Sequence, residues 1–179
     1  MHRRLLTPML AAALVAVVAT PAYAAERRPG LGQVKQATAR YHNLPVAQRA
    51  GYGRFVDVNS VACIDMPGMG GMGVHYVNGS LVGDGQVDAL TPEAVVYEPD
   101  RTGRLHLVAV EYVVIQEAWA ANHRHPPALF GHEFDFTGSP NRYGLPPFYS
   151  LHAWIWKHNP AGTFAMWNPR VRCAADTVG

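Results

Sequence analysis

Three of the strands predicted below each carry one side chain that can bind a metal ion: His75, Glu111 and His152. Two imidazoles and one carboxylate form a ligand set that suits zinc, iron or manganese, with a position left open for water or a substrate. Glu98, at the end of a further predicted strand, is a possible fourth ligand. No HExxH sequence occurs, and the one HxH sequence, His123 to His125, falls in a predicted loop. The hypothesis of a metal site therefore depends on how the strands are arranged.

Glu111 is the most informative single residue, because it lies within a strand that is apolar on both faces. The segment Leu105 to Ile115 has the pattern of a buried strand. A buried carboxylate must be paired, protonated or bound to a metal. If Glu111 pairs with Arg142, Arg170 or Arg172, its role is structural, so both interpretations stay open at this point.

His152 belongs to the last predicted strand, where it shares a face with Ser150 and two tryptophans. It is either a ligand in an aromatic pocket or a core histidine whose hydrogen bonds are satisfied. The same two interpretations apply to His75. We predict that the pocket is lined by four aromatic residues, namely Trp154, Trp156, Tyr76 and Tyr112.

A second metal hypothesis comes from the segment CIDMPGMGGMGVHYVN, in which Met66, Met69, Met72 and His75 follow one another at intervals of three residues. Thioether sulfur is a soft ligand that selects Cu(I). Methionine is also a common filler of apolar cores, which is the simpler interpretation. The glycines of this segment allow the backbone to adopt positive φ and to approach another segment closely.

The two cysteines, Cys63 and Cys173, are predicted to form a disulfide. An even number of cysteines favours a disulfide when a chain is exported, and the N-terminal residues described in the next paragraph predict export. The closed loop of about 110 residues would stabilise the fold by up to about 4–5 kcal/mol on the chain-entropy model. A cysteine metal site or catalytic cysteine is the alternative, but the sequence has no CxxC motif.

The N-terminus has the three parts of a secretory signal peptide at residues 1–24. Arg3 and Arg4 precede an apolar run, and Ala22-Tyr23-Ala24 provides a small-x-small cleavage site. We therefore predict a single secreted or periplasmic domain at residues 25–179, with no membrane insertion after cleavage of the signal peptide.

The charge of the mature chain excludes one class of partner. Removal of Arg3 and Arg4 leaves 13 of the 15 basic residues against 13 acidic residues, so the formal net charge falls from +2 to zero. Nucleic-acid binding requires clustered positive charge, and no run of Lys or Arg exceeds two residues. The predicted partner is a small molecule or a metal ion, with no nucleic acid.

Two short helices are predicted before Cys63, followed by antiparallel strands. The helices cover Gln33 to Asn43 and the segment from Pro45 to Gly51. The strands are Val74 to Asn78, Glu93 to Glu98, Leu105 to Ile115 and Phe148 to Lys157, with a long loop from His123 to Pro147 before the last strand. This order predicts an α+β fold whose antiparallel sheet is curled into a small barrel or half-barrel.

The strings GMGVHYVN, VVYEP, VEY and NPAGTFAMWNP, together with a cysteine near the C-terminus, resemble a group of small exported bacterial proteins. The resemblance covers most of the mature chain. It implies a bacterial exported protein with two cysteines, and it carries over no activity, substrate or metal. The residues themselves favour a binding protein with a His/Glu metal site. The alternatives are a metal-dependent hydrolase or oxygenase, a copper-binding protein, and a structural domain without metal.

Overall fold

The structure is a computed structural model that describes residues 28–173. The predicted signal peptide at residues 1–24 lies outside the described residues. Within them, no helix is long and apolar enough to cross a membrane.

The helices are short and most of them precede the sheet or connect its strands. They are α1 (Leu31–Thr38), a 3-10 helix (Ala39–His42), α2 (Leu44–Arg49), α3 (Gly79–Val82) and α4 (Gln116–Ala120). The two predicted N-terminal helices are confirmed. Pro45 lies in the first turn of α2, where its missing N–H has no partner to lose.

Nine strands follow one another within residues 28–173. They are β1 (Gly53–Arg54), β2 (Cys63–Met66), β3 (Gly70–Val77), β4 (Ala94–Pro99), β5 (Leu105–Ile115), β6 (Ala128–Leu129), β7 (His132–Glu133), β8 (Asp135–Thr137) and β9 (Phe148–Ala153). Seven form one antiparallel sheet in the order β1-β3-β4-β5-β9-β8, and β2 also pairs with β3. The α+β class is thus confirmed. In the part of the chain that the structure describes, β1 and β8 are the edges of the sheet and do not pair, so no closed barrel is found.

The central strand β5 has the predicted bounds, whereas β9 ends earlier than predicted, at Ala153. The amides of Trp156 and Lys157 both donate to the carbonyl of Val108. Val108 is the additional residue of a bulge in β5, because Tyr97 pairs with Leu107 and Val96 with Ala109. These two hydrogen bonds to one carbonyl hold the chain after β9 beside β5, but outside the regular pairing of the two strands.

The glycine-rich segment is part of a strand, whereas the sequence predicted a strand only from Val74. β3 begins at Gly70, and Met72 is an additional residue relative to the pairing of β2. Gly73 has a φ of +89°, and a Cβ atom there would lie 2.7 Å from Cγ1 of Val96, so no other residue fits. The bulge shifts the alternation of β3, and Met72 and His75 therefore line the same cavity.

The two faces of the sheet are covered differently. The N-terminal helices pack on one face, where three buried tyrosine hydroxyls donate to backbone carbonyls of other segments. These are Tyr52 to Pro92, Tyr97 to Tyr41 and Tyr112 to Ala89, each at 2.7 Å.

The predicted disulfide between Cys63 and Cys173 is present and attaches the C-terminal segment to β2.

Candidate metal site

The sheet brings His75, Glu111 and His152 together on the face opposite the N-terminal helices. Glu111 of β5 lies directly opposite His152 of β9. His75 belongs to β3, which is separated from β5 by β4. Ala94 is the residue of β4 that pairs with Glu111. His75 pairs with Val96, two residues further along β4, so its imidazole crosses β4 diagonally to reach the carboxylate.

The three side chains are close enough to share one ion. His75 Nε2 lies 3.2 Å from Glu111 Oε2 and 3.1 Å from His152 Nε2. When one possible ligand atom is taken from each residue, the three atoms lie within 4.8 Å of one another. Ligand atoms at the corners of a tetrahedral zinc site are about 3.3 Å apart when the metal–ligand bonds are about 2.0–2.1 Å. The two distances from His75 Nε2 therefore match the spacing of ligand atoms in such a site.

The two ring nitrogens of His152 face different residues of the cluster. His152 Nδ1 lies 3.4 Å from Glu111 Oε1, and Nε2 lies 3.1 Å from His75 Nε2. A neutral imidazole carries its proton on one of its two nitrogens and leaves the other as a ligand atom. A histidine that ligates a metal through Nε2 commonly directs Nδ1 to a carboxylate, and the ring of His152 has this orientation.

The protonation states suit a metal ligand set. Burial acts to raise the pKa of Glu111, but His152, His75 and a hydrogen bond from Ser150 outweigh it and hold the pKa at about 2. Burial lowers the pKa of His152 to about 4, although the charge of Glu111 opposes this change. At neutral pH the cluster thus contains a carboxylate and a neutral imidazole on His152, the forms that bind metals.

A cavity of about 470 Å³ opens beside the cluster, and His75 and Glu111 are part of its lining. His152 lies behind them and is 2% exposed. An ion held by the three residues would therefore have the cavity on its open side.

The predicted aromatic lining is wrong for all four residues. Tyr76 and Tyr112 pack in the core on the helix-covered face. Trp156 packs edge-on against His42 on the same side, and its indole N–H is buried without a partner in the described structure. Trp154 stacks on His152 at 5.9 Å from outside the cavity. The aromatic residues that do line the cavity are Phe55, Tyr143 and Phe148.

The structure does not bring Glu98 to the other three residues. Its carboxylate lies 2.5 Å from Nζ of Lys157 and also accepts a hydrogen bond from the amide of Arg172. Met66 and Met69 are exposed at the turn between β2 and β3, whereas Met72 is buried. The three thioethers therefore do not share one environment.

Two further buried carboxylates were not singled out from the sequence. The side chain of Asp57 is fully buried and pairs with Arg142 at 2.5 Å, so this arginine is not available to Glu111. Glu93 is 2% exposed and accepts a hydrogen bond from the amide of Val113. Burial raises the pKa of Glu93 to about 8. Neither residue has a spacing or motif that marks it in the sequence.

Comparisons of the chain with protein-family models, with curated proteins and with solved structures find no match. The interpretation of the site therefore rests on its own geometry and chemistry.

Proposed function

We propose that this chain is an exported binding protein that holds one divalent metal ion, zinc, iron or manganese, through His75, Glu111 and His152. The observation that carries the proposal is the pairing of Glu111. Its two charged or chargeable neighbours are histidines, and the three side chains are at most 12% exposed. Asp57 and Glu98 pair with an arginine and a lysine. Asp100 also pairs with a histidine, but with a single one, His106, at the surface. Histidine is the partner that can exchange an N–H···O contact for a metal bond.

Export is part of the same proposal. It is supported by the signal-peptide pattern at residues 1–24, by the resemblance to small exported bacterial proteins, and by the disulfide. We also propose that the sheet is curled as a half-barrel around the cavity. Residues of both edge strands, Arg54 of β1 and Thr137 of β8, line this one cavity, which supports such a curvature.

A metal-dependent hydrolase or oxygenase is the second candidate. It is supported by the number of ligands, because three protein ligands with one open position are typical of catalytic zinc sites. Such an enzyme also needs a general base near that position. Among the cavity residues that the structure describes, the acids are Glu111, already used as a ligand, and Asp57, which is paired with Arg142. The binding protein is therefore the better supported function.

The deciding experiment measures bound metal by elemental mass spectrometry. The full chain is expressed with its signal peptide, exported, and purified without chelators. We expect about one zinc, iron or manganese ion per chain, and loss of that ion in His152→Ala. His106→Ala is the matched control, because His106 lies on β5 but is exposed and contacts Asp100.

The contrary outcome is equally clear. The three side chains can satisfy one another, since Glu111 can accept one N–H from each histidine. Absence of metal after reconstitution with zinc, iron and manganese, together with unfolding of His152→Ala, would make the cluster a structural one.

A further inference from the structure

The cavity beside the cluster is built mainly from apolar side chains. Its walls are formed by aliphatic and aromatic residues from β3, β5, β9, α3 and the loop before β9. Six of them are Val77, Val82, Val113, Ile115, Leu145 and Phe148. A cavity of about 470 Å³ with such a lining falls within the range of sites for small organic molecules. It is far larger than a metal ion and its water ligands require.

Most polar groups of the cavity are already engaged. Asp57 is held by Arg142 and by two backbone amides. The hydroxyl of Ser150 donates to Glu111. Arg54 is exposed at the opening and Thr137 is half-buried. A sugar or another molecule with many hydroxyl groups would leave several of them without partners, at a cost of about 1–3 kcal/mol each.

Tyr143 is the exception among these polar groups. It lines the cavity, and the side-chain partner of its hydroxyl is the sulfur of Met72 at 3.9 Å. A thioether is a weak acceptor. Compared with the tyrosines of the other face, whose hydroxyls donate to carbonyls at 2.7 Å, the hydroxyl of Tyr143 is free to donate to a stronger acceptor.

We propose that this cavity binds a small, mainly apolar organic molecule that carries one acidic oxygen group. The apolar body lies against Val82, Val113 and Phe148, and the oxygen group lies at the end formed by His75, Glu111 and the hydroxyl of Tyr143. The preference for an acidic group rests on the proposed metal function. A divalent ion with one carboxylate and two neutral imidazoles leaves a net positive charge at the open position.

The test uses 2-naphthoate, naphthalene and gluconate as probes of the exported, zinc-loaded protein, with binding measured by calorimetry or by naphthalene fluorescence. Gluconate has the same number of non-hydrogen atoms as 2-naphthoate and the same carboxylate, but a polar body. We expect 2-naphthoate to bind at least about tenfold more tightly than gluconate, because only its body gains from apolar burial.

Two variants reduce the space in the cavity. Val82→Phe fills it from α3, and Val58→Phe is the matched control at an exposed valine outside the lining. Gly83→Leu is the second variant, because Gly83 also lines the cavity and a Cβ at this position meets no atom closer than 3.7 Å. We expect Val82→Phe and Gly83→Leu to weaken the binding of 2-naphthoate and of naphthalene at least about tenfold. Val58→Phe should leave the affinity for both probes unchanged.

The role of the hydroxyl is tested by Tyr143→Phe, with Tyr149→Phe as its control outside the cavity. We expect Tyr143→Phe to weaken the binding of 2-naphthoate about 2–10-fold, which is the effect of one lost hydrogen bond, and to leave the binding of naphthalene unchanged. A purely structural role of Tyr143 would change both probes alike.

The outcomes separate this proposal from the metal function. The cavity proposal is overturned, while the metal site stands, if zinc binds but 2-naphthoate binds no better than gluconate. It is also overturned if the affinity for 2-naphthoate is the same in the wild type, Val82→Phe and Gly83→Leu. If no metal binds but naphthalene still binds and Val82→Phe prevents it, the metal function fails and the apolar cavity is supported.

Discussion

Glu93 and Glu111 are both buried in the same sheet, one just before β4 and one in the middle of β5, yet the pKa values of their carboxyl groups move in opposite directions. Burial acts to raise both. Around Glu93 the effect of burial prevails, because the main interaction that lowers the pKa is a single hydrogen bond from the backbone amide of Val113. Around Glu111 it is outweighed by two imidazoles and a hydroxyl. Burial alone therefore does not set the direction in which the pKa of a carboxyl group shifts. The chemistry of the partners does.

The largest expected effect is on metal affinity, where the two glutamates provide a matched pair. Glu111→Gln should weaken zinc binding by more than about 100-fold, beyond the 10–100-fold typical of residues that only orient a ligand. Glu93→Gln should change it by less than about threefold, because Glu93 contacts the backbone and not the cluster. Competition with a zinc chelator measures both constants. Equal losses in the two variants would mean that glutamine affects zinc binding through the fold.

Thermal unfolding offers a second comparison. At a zinc concentration about 100 times the Kd, binding to the folded state stabilises by about 2.7 kcal/mol, which should raise the Tm of the wild type by about 5–10 °C. We expect the same rise in Glu93→Gln and none in Glu111→Gln. Calorimetry with and without zinc measures it. A rise in all three proteins would place the zinc elsewhere.

The dependence of stability on pH should distinguish the same two residues without metal. The folded-state pKa of Glu93 is raised from 4.5 to about 8, so between these values the folded protein binds a proton that the unfolded chain releases. The stabilisation is complete below about pH 4.5 and is lost as pH rises towards 8, by about 1.4 kcal/mol per pH unit. For Glu111 and His152 the folded-state pKa values are lowered, so their contribution is lost as pH falls below about 6.5 for the histidine and 4.5 for the glutamate.

Urea unfolding of the wild type and of Glu93→Gln from pH 6 to 9 tests this expectation. Glutamine imitates the protonated carboxyl and can still accept from Val113. The difference in unfolding free energy between the two proteins should therefore change by about 1.4 kcal/mol per pH unit up to pH 8 and then level off. A difference that does not vary with pH would show that Glu93 is ionised in the folded protein.

The smallest effect is expected at the turn between β2 and β3. The double variant Met66→Leu with Met69→Leu should keep its metal content and lose less than about 0.5 kcal/mol of stability, since both side chains are exposed. Elemental analysis after exposure to zinc and to Cu(I) measures this. Loss of copper from the double variant, with zinc unchanged, would instead support the methionine hypothesis.

The sequence predicts much of the framework, because hydrophobic periodicity is a local signal. β5, the N-terminal helices and the disulfide follow from pattern and composition. Strand alternation also explains one error: Tyr76 and Tyr112 are next to His75 and Glu111, so they must point to the opposite face. The error at Trp154 and Trp156 has another cause, since the early end of β9 depends on the bulge at Val108.

The assembly of the cluster could not be derived from the chain alone. That Glu111 faces His152 depends on the register of two strands separated by a long loop. That His75 reaches them depends on the register of β3 with β4, in which His75 pairs with Val96, two residues along the strand from the partner of Glu111. The pairing of Asp57 with Arg142 joins residues 85 positions apart, and it removes one of the three arginines that the sequence offers as partners of Glu111.

The disulfide has a topological consequence for this site. The segment between Cys63 and Cys173 is a covalent ring, and the ring contains all three residues of the cluster. A single protease cut in the exposed parts of the segment from His123 to Pro147 would open the ring without dividing the molecule. The two halves of the sheet, one with His75 and Glu111 and the other with His152, would stay linked, and the nicked protein would run as one chain on a non-reducing gel. The three residues of the cluster would thus stay in one covalently linked molecule after such a cut.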